Sequence, residues 1–199
     1  MAKIKSALEI ALERTDSVKS DRGSIGLFEA RQKGKKLANE FLEANIKSLE
    51  DEIKKESGDA QENVKQGIFD ILISRLALPA TKDDMKRIES ASQGLNTVIG
   101  GRRFSELAKQ LLQIMNQYLS EAAQYEQAIK KQYAPKLRQK EEELSQRLGR
   151  PVQLDPFQDP EFAAFYNQNM NSLKANYQGA VDEVREEAQR LFSGKTEEQ

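Results

Sequence analysis

The chain has 199 residues, 38% hydrophobic and 32% charged, with a net charge of −1 and neither cysteine nor histidine. The two zeros exclude disulfides, thiolate nucleophiles, Cys-based zinc sites, the usual catalytic triads and the Glu-x-x-His ligands of di-iron bundles. A nearly neutral balance gives no global attraction to nucleic acid or anionic lipid, and abundant Ala, Glu, Lys, Leu and Gln with sparse β-branched residues points to an all-α fold.

The opening "MAKIKSALEIALERTD" alternates charged and apolar residues and has the form of no secretory leader. The longest apolar run, "IFDILISRLAL", is too short and too interrupted to span a bilayer. A cytoplasmic location is the expectation. The first predicted helix runs from about Ala2 to Lys19, with Ile4, Leu8, Ala11, Leu12, Thr15 and Val18 on one stripe. "SDRGS" interrupts it, with Gly23 suited to a left-handed C-terminal position. A second helix begins near Ser24 or Ile25 and extends to Glu56, with a break expected at Gly34 or Asn45. Gly58 then stops one helix, and Asp59 with Glu62 forms a capping pair for the next.

The third helix, Ala60 to about Leu78, is apolar nearly all round and is the candidate for the centre of the core. Pro79 ends it. Thr81 caps a fourth helix with Asp84 three residues on, and Met85, Ile88, Ala91, Leu95, Val98 and Ile99 face inward. Gly100 and Gly101 close an N-terminal four-helix subdomain, residues 1–100.

Residues 101–199 read as a long, coiled-coil-like antiparallel helical hairpin. From Phe104 to Leu148 one stripe persists for about 45 residues, ~65–70 Å of helix. Its phase carries across Pro135, so a kink is expected there and not a break. The final helix runs from Pro160 to about Phe192, with "SGKTEEQ" as a frayed tail. Between them lies "GRPVQLDPFQDP". Gly149 is a helix C′ residue, Pro151 forbids continuation, and Asp159 is an N-cap ahead of Pro160 at the first helical position. Val152, Leu154 and Phe157 either cover the open end of the hairpin or bind a partner.

Three basic clusters stand out: residues 33–36, 101–103 and 130–140. Arg102, Arg103, Lys130, Lys131, Lys136, Arg138 and Lys140 are the candidate phosphate-binding set of the nucleic-acid alternative. The bland reading is a solvated helix face, or one matched by acid. Arg102 to Arg150 holds ten basic and six acidic residues, a net of +4; Asp155 to Gln199 holds four basic and nine acidic, a net of −5. An antiparallel pairing of the two would match charge region by region. No catalytic motif is present, and "DD" at 83–84 and "EEE" at 141–143 make no metal site by themselves, since adjacent helical residues point about 100° apart. Tyr118, Tyr125, Tyr133, Tyr166 and Tyr177 fall on the hairpin seam, where aromatic knobs are the common case. Asn167, Asn169, Asn171 and Asn176 either set the pairing register or face water.

The stretches "KIKSALEIALERTDSVKSD", "YAPKLRQKEEELSQRLGR" and "DPEFAAFYNQ" resemble a group of uncharacterised bacterial helical proteins, over nearly the whole chain. The resemblance carries no active-site motif and implies only a bacterial, cytosolic protein. The reading that results is a non-catalytic interaction or scaffold protein that self-associates as a dimer and binds an unknown protein partner. No catalytic, cofactor-binding or metal-ligating residues are assigned, and no cofactor. The alternatives are a nucleic-acid-associated protein and, third, a carboxylate- or metal-dependent enzyme.

Overall fold

A computed structural model describes the backbone of residues 7–197 and the side chains of residues 25–194. Among the described residues there are six α-helices and no strands: α1 (Ala7–Leu42), α2 (Leu49–Ile53), α3 (Gly58–Ser74), α4 (Lys82–Ile99), α5 (Arg102–Leu148) and α6 (Pro160–Glu197), with a short 3-10 turn at Pro156–Gln158. The all-α expectation holds. The side chains of the first predicted stripe, Ile4 to Val18, lie outside the described residues.

The first two predicted helices are one. α1 runs through Ser20–Ser24 without interruption. A lone Gly23 costs a helix only about 1 kcal/mol, and no proline is present to remove a backbone donor. The break comes instead after Leu42. Asn45 N–H donates to the Glu40 carbonyl (2.8 Å) and Ala44 N–H to the Phe41 carbonyl (3.0 Å), the paired bonds of a Schellman turn. Ala44 takes the left-handed position that glycine favours, with φ 59°. Ser48 then caps α2, its Oγ accepting from Asp51 N–H at 3.2 Å.

Gly58 begins α3 and does not stop its predecessor. Ser57 holds the N-cap position without a side-chain bond, so the Asp59–Glu62 capping pair does not form. The helix also ends earlier than expected, at Ser74, and its last turn tightens, with Arg75 N–H donating to the Leu72 carbonyl and Leu76 N–H to that of Ile73. Its central role is as expected: from Ala60 to Ile73 no residue is exposed, and Val64, Ile68, Phe69 and Leu72 are buried. The capping box of α4 is present as read. Thr81 Oγ1 accepts from Asp84 N–H (3.2 Å), while the Asp84 carboxylate accepts from Thr81 N–H (2.8 Å). The Thr81 bonds hold the Asp84 carboxyl below its ordinary range.

Two glycines set the α1–α3 contact. A Cβ on Gly34 would lie 2.1 Å from the Val64 carbonyl oxygen, and one on Gly67 would lie 2.1 Å from that of Arg31. The backbones therefore touch where side chains would hold them apart. Arg31 Nε and Nη2 both donate to Asp70 Oδ2, at 2.9 and 2.7 Å, beside this crossing.

The chain forms two compact units. One comprises Met1–Leu76, Glu89–Ser105 and Ala188–Gln199; the other comprises Ala77–Ile88 and Glu106–Glu187. Neither is a continuous stretch, unlike the single division after residue 100. Phe192, at the far end of α6, stacks on Phe69 with ring centroids 4.3 Å apart, which joins that end to the α1–α3 core. α6 continues to Glu197, five residues beyond the expected end.

Gly34→Ala or Gly67→Ala should cost about 1–3 kcal/mol by overpacking the crossing. Ala44→Gly should instead add about 0.5–1 kcal/mol by relieving the left-handed residue. Urea titrations of the three variants against the parent protein check both signs.

Candidate functional site

The candidate site is the end of the α5–α6 hairpin within the second unit. α5 is continuous across Pro135 and stops at Gly149, which has φ 68° and donates its N–H to the Ser145 carbonyl at 2.9 Å. The connector then turns back, and side chains of α5 pin its backbone. Ser145 Oγ accepts from Val152 N–H at 2.9 Å, and Glu141 Oε1 accepts from Leu154 N–H at 2.8 Å. Asp155 Oδ1 accepts from Phe157 N–H at 3.0 Å and starts the 3-10 turn. Glu141, in the acidic run considered for metal binding, thus binds a backbone amide. Among the described residues no three acidic or other ligating side chains gather in one place.

Asp159 is the centre of the arrangement and is buried. As N-cap of α6 its Oδ1 accepts from Glu161 N–H at 3.1 Å, and its carbonyl accepts from Ala163 N–H at 2.9 Å. Lys140 Nζ donates to both carboxylate oxygens, at 3.0 and 2.8 Å, and Tyr133 OH donates to Oδ2 at 2.9 Å. Lys140 also reaches Glu161 Oε2 at 2.6 Å, and Lys136 pairs with the same oxygen at 3.0 Å. The Lys140 bond holds the Asp159 carboxyl below its ordinary range, and does the same for Glu161 with help from Lys136. Lys140 is raised in turn by its bonds to Asp159 and Glu161. Burial, then the Asp159 bond, pushes the Tyr133 phenol up. The charge match expected region by region is here a network of named pairs.

The seam below it is aromatic. Tyr133 meets Phe162 edge-on at 5.2 Å, Tyr125 OH donates to Asn169 Oδ1 at 3.2 Å, and Tyr118 packs on Tyr177 at 5.2 Å. As the α5 number falls the α6 number rises by nearly the same amount, which is antiparallel pairing. Asn169 is the asparagine that meets the seam; Asn167, Asn171 and Asn176 are exposed.

Of the three candidate partner-binding residues, Val152 and Leu154 are half-buried and Phe157 is 48% exposed. One side of the Phe157 ring packs edge-on against Phe162 and Tyr166, and Lys130 Nζ stands 5.4 Å from its centroid. Leu154 lines a cleft of about 230 Å³ with Leu144, Arg147 and Gln158, and Leu148 at the helix end is 56% exposed. The connector therefore covers part of the hairpin end and shows apolar surface as well.

The candidate phosphate set is divided between the two compact units. Arg102 and Arg103 belong to the first compact unit, and Lys130 to Lys140 to the second. Lys130 pairs with Glu126 at 2.6 Å, and Lys136 and Lys140 are taken up by Asp159 and Glu161. Lys131 and Arg138 are exposed. In the first cluster, Lys33 pairs with Glu56 and Lys36 with Glu40.

Asp159→Ala should lower stability by about 1–2 kcal/mol as a lost N-cap. Asp159→Asn keeps a cap and removes the charge, so it isolates the ion pair. A carboxyl held below its free value of about 3.9 contributes stability above that pH and loses it as pH falls through the folded value. The thermal midpoint of the parent should therefore exceed that of Asp159→Asn at pH 7, and the gap should close below about pH 4. Calorimetry across pH 3–7 measures it.

Neither the curated proteins nor the solved structures contain a match to this chain. A family match covers residues 50–190, from α2 through most of α6, including all of α5, the connector and Asp159. The chain is a member of the family of unknown function DUF6657.

Proposed function

We propose that the protein is a non-catalytic interaction or scaffold protein, bacterial and cytoplasmic, that self-associates and presents the hairpin end to a protein partner. The observation that carries this is the connector: its apolar side chains stand in view on a segment whose backbone is bound by Ser145 and Glu141 and whose last side chain, Asp159, is bound by Lys140 and Tyr133. A loop ordered before binding loses little conformational entropy on contact, which favours recognition. Phe157, half-exposed and supported from beneath by two aromatic rings, has the character of an interface anchor. The coiled-coil-like aromatic seam supplies stiffness behind it.

The nucleic-acid alternative is weakened by the same geometry. At least Lys130, Lys136 and Lys140 already face carboxylates of their own chain, and releasing Lys136 and Lys140 would loosen the hairpin end. Location in the cytoplasm agrees with the absence of cysteine and with the finding that no helix among the described residues is long and apolar enough to cross a membrane.

Two measurements check the reading. Light scattering across a concentration series should show a dimer; a monodisperse monomer at high micromolar concentration removes self-association. Affinity capture from native cells, with nuclease and at low and high salt, should retain defined proteins that Phe157→Ala loses while its stability stays within about 2 kcal/mol of the parent. Loss of every partner on nuclease treatment would establish the nucleic-acid alternative instead.

A further inference from the structure

The middle of the hairpin is almost free of charge. Gln110 to Ile129 on α5 contains two charged residues, Glu121 and Glu126, and Phe162 to Val181 on α6 contains one, Lys174. At the chain average of 32%, these forty residues would carry about thirteen. Both glutamates are also engaged internally. Glu121 accepts from Gln117 at 2.8 Å and its carboxyl is lowered chiefly by a bond from Tyr177; Glu126 binds Lys130 and Tyr166. Apart from the exposed Lys174 and Tyr125, what remains outward is small or amide-bearing, including Gln124, Ala128, Gln168, Ser172 and Asn176.

This belt holds a groove of about 500 Å³ between the helices. Glu121, Gln124, Tyr125 and Ala128 form one wall at helical spacing, and Ser172, Leu173 and Asn176 form the other. Tyr125 is 39% exposed on the lip, steadied by its bond to Asn169. Depletion of charge with an exposed aromatic is the composition of an interface core, not of a solvated helix face.

We propose that this belt is the surface on which a second copy of the chain docks, the partner's Tyr125 entering the groove between Ala128 and Ser172 and the reverse occurring on the other side. The proposal rests on the self-association proposed above and names its location. In a two-fold interface every patch meets itself. A charged patch would then oppose its own sign, whereas an amide carries both donor and acceptor and is complementary to another amide. A belt of amides and small residues, whose groove-lining Glu121 and exposed Lys174 are of opposite sign, is thus compatible with its own copy and offers little charge pattern to select a different partner. The two uncharged stretches overlap over residues 114–129 and 166–181, and about 24 Å of helix by two helix widths of about 10 Å gives roughly 500 Å² per copy, or about 1,000 Å² in all, the size of a weak specific interface.

The native chain has no cysteine, so single cysteines report contact cleanly. Ala128→Cys should form a disulfide-linked dimer on mild oxidation, and Lys47→Cys, exposed in the turn before α2, should not. Ala128→Glu and Ser172→Glu, both at exposed positions, should keep helicity and thermal midpoint while the dimer dissociation constant rises on the order of 100-fold. A dimer that survives both glutamates, with Lys47→Cys cross-linking as well as Ala128→Cys, would overturn this surface and leave self-association standing. A parent protein that is monomeric at high micromolar concentration would overturn both.

Discussion

The carboxylate of Asp159 ties the start of one helix to the flank of another. It ends the connector, caps α6 and meets Lys140 and Tyr133 of α5 in one place. An ion pair this sheltered is weak evidence for stability, because removing the carboxylate from water offsets much of the attraction. Its use is in selecting a register. With Asp159 opposite Lys140, Phe162 falls on Tyr133, Asn169 on Tyr125 and Tyr177 on Tyr118. A slip of one turn would part the tyrosine pairs together, and in one direction would set Leu144 in the place of Lys140. The apolar seam supplies the driving force, and the polar contacts decide which of several similar seams is used.

Signals that act within a few residues were legible in the sequence. Thr81 with Asp84, Gly149 before Pro151, Asp159 before Pro160 and the Gly100–Gly101 joint each behave as their local chemistry dictates. Local signals mislead at Asp59 and Glu62, which form no capping pair, and most of all at glycines. Gly23 lies within α1, and Gly34 is at a backbone crossing whose partner, Gly67, is 33 positions away. Nothing local distinguishes a glycine that ends a helix from one that lets a second helix approach. The stacking of Phe192 on Phe69 was beyond reach for the same reason, since it joins residues 123 positions apart.

At the hairpin end the sequence located the connector and its apolar residues but not the bonds that hold it. Ser145 and Glu141 look like surface polar residues of a long helix until the chain folds back over them. The basic run at 130–140 showed a similar limit. Read alone it suggested a phosphate ligand, while the carboxylates that satisfy Lys136 and Lys140 are about twenty to twenty-five residues downstream. The neutral belt was visible in the letters as a run of asparagines. Its meaning came only when α5 brought an equally uncharged stretch alongside.

All five tyrosines, Tyr118, Tyr125, Tyr133, Tyr166 and Tyr177, belong to the second compact unit, and the chain has no tryptophan. Near-ultraviolet absorbance and emission above the phenylalanine range therefore originate in the hairpin alone, and the α1–α3 unit is optically silent there. Helix content measured in the far ultraviolet counts both units. Following the two signals through one denaturation separates the melting of the hairpin from that of its companion without a label or a substitution. The protein carries its own domain-resolved spectroscopic probe.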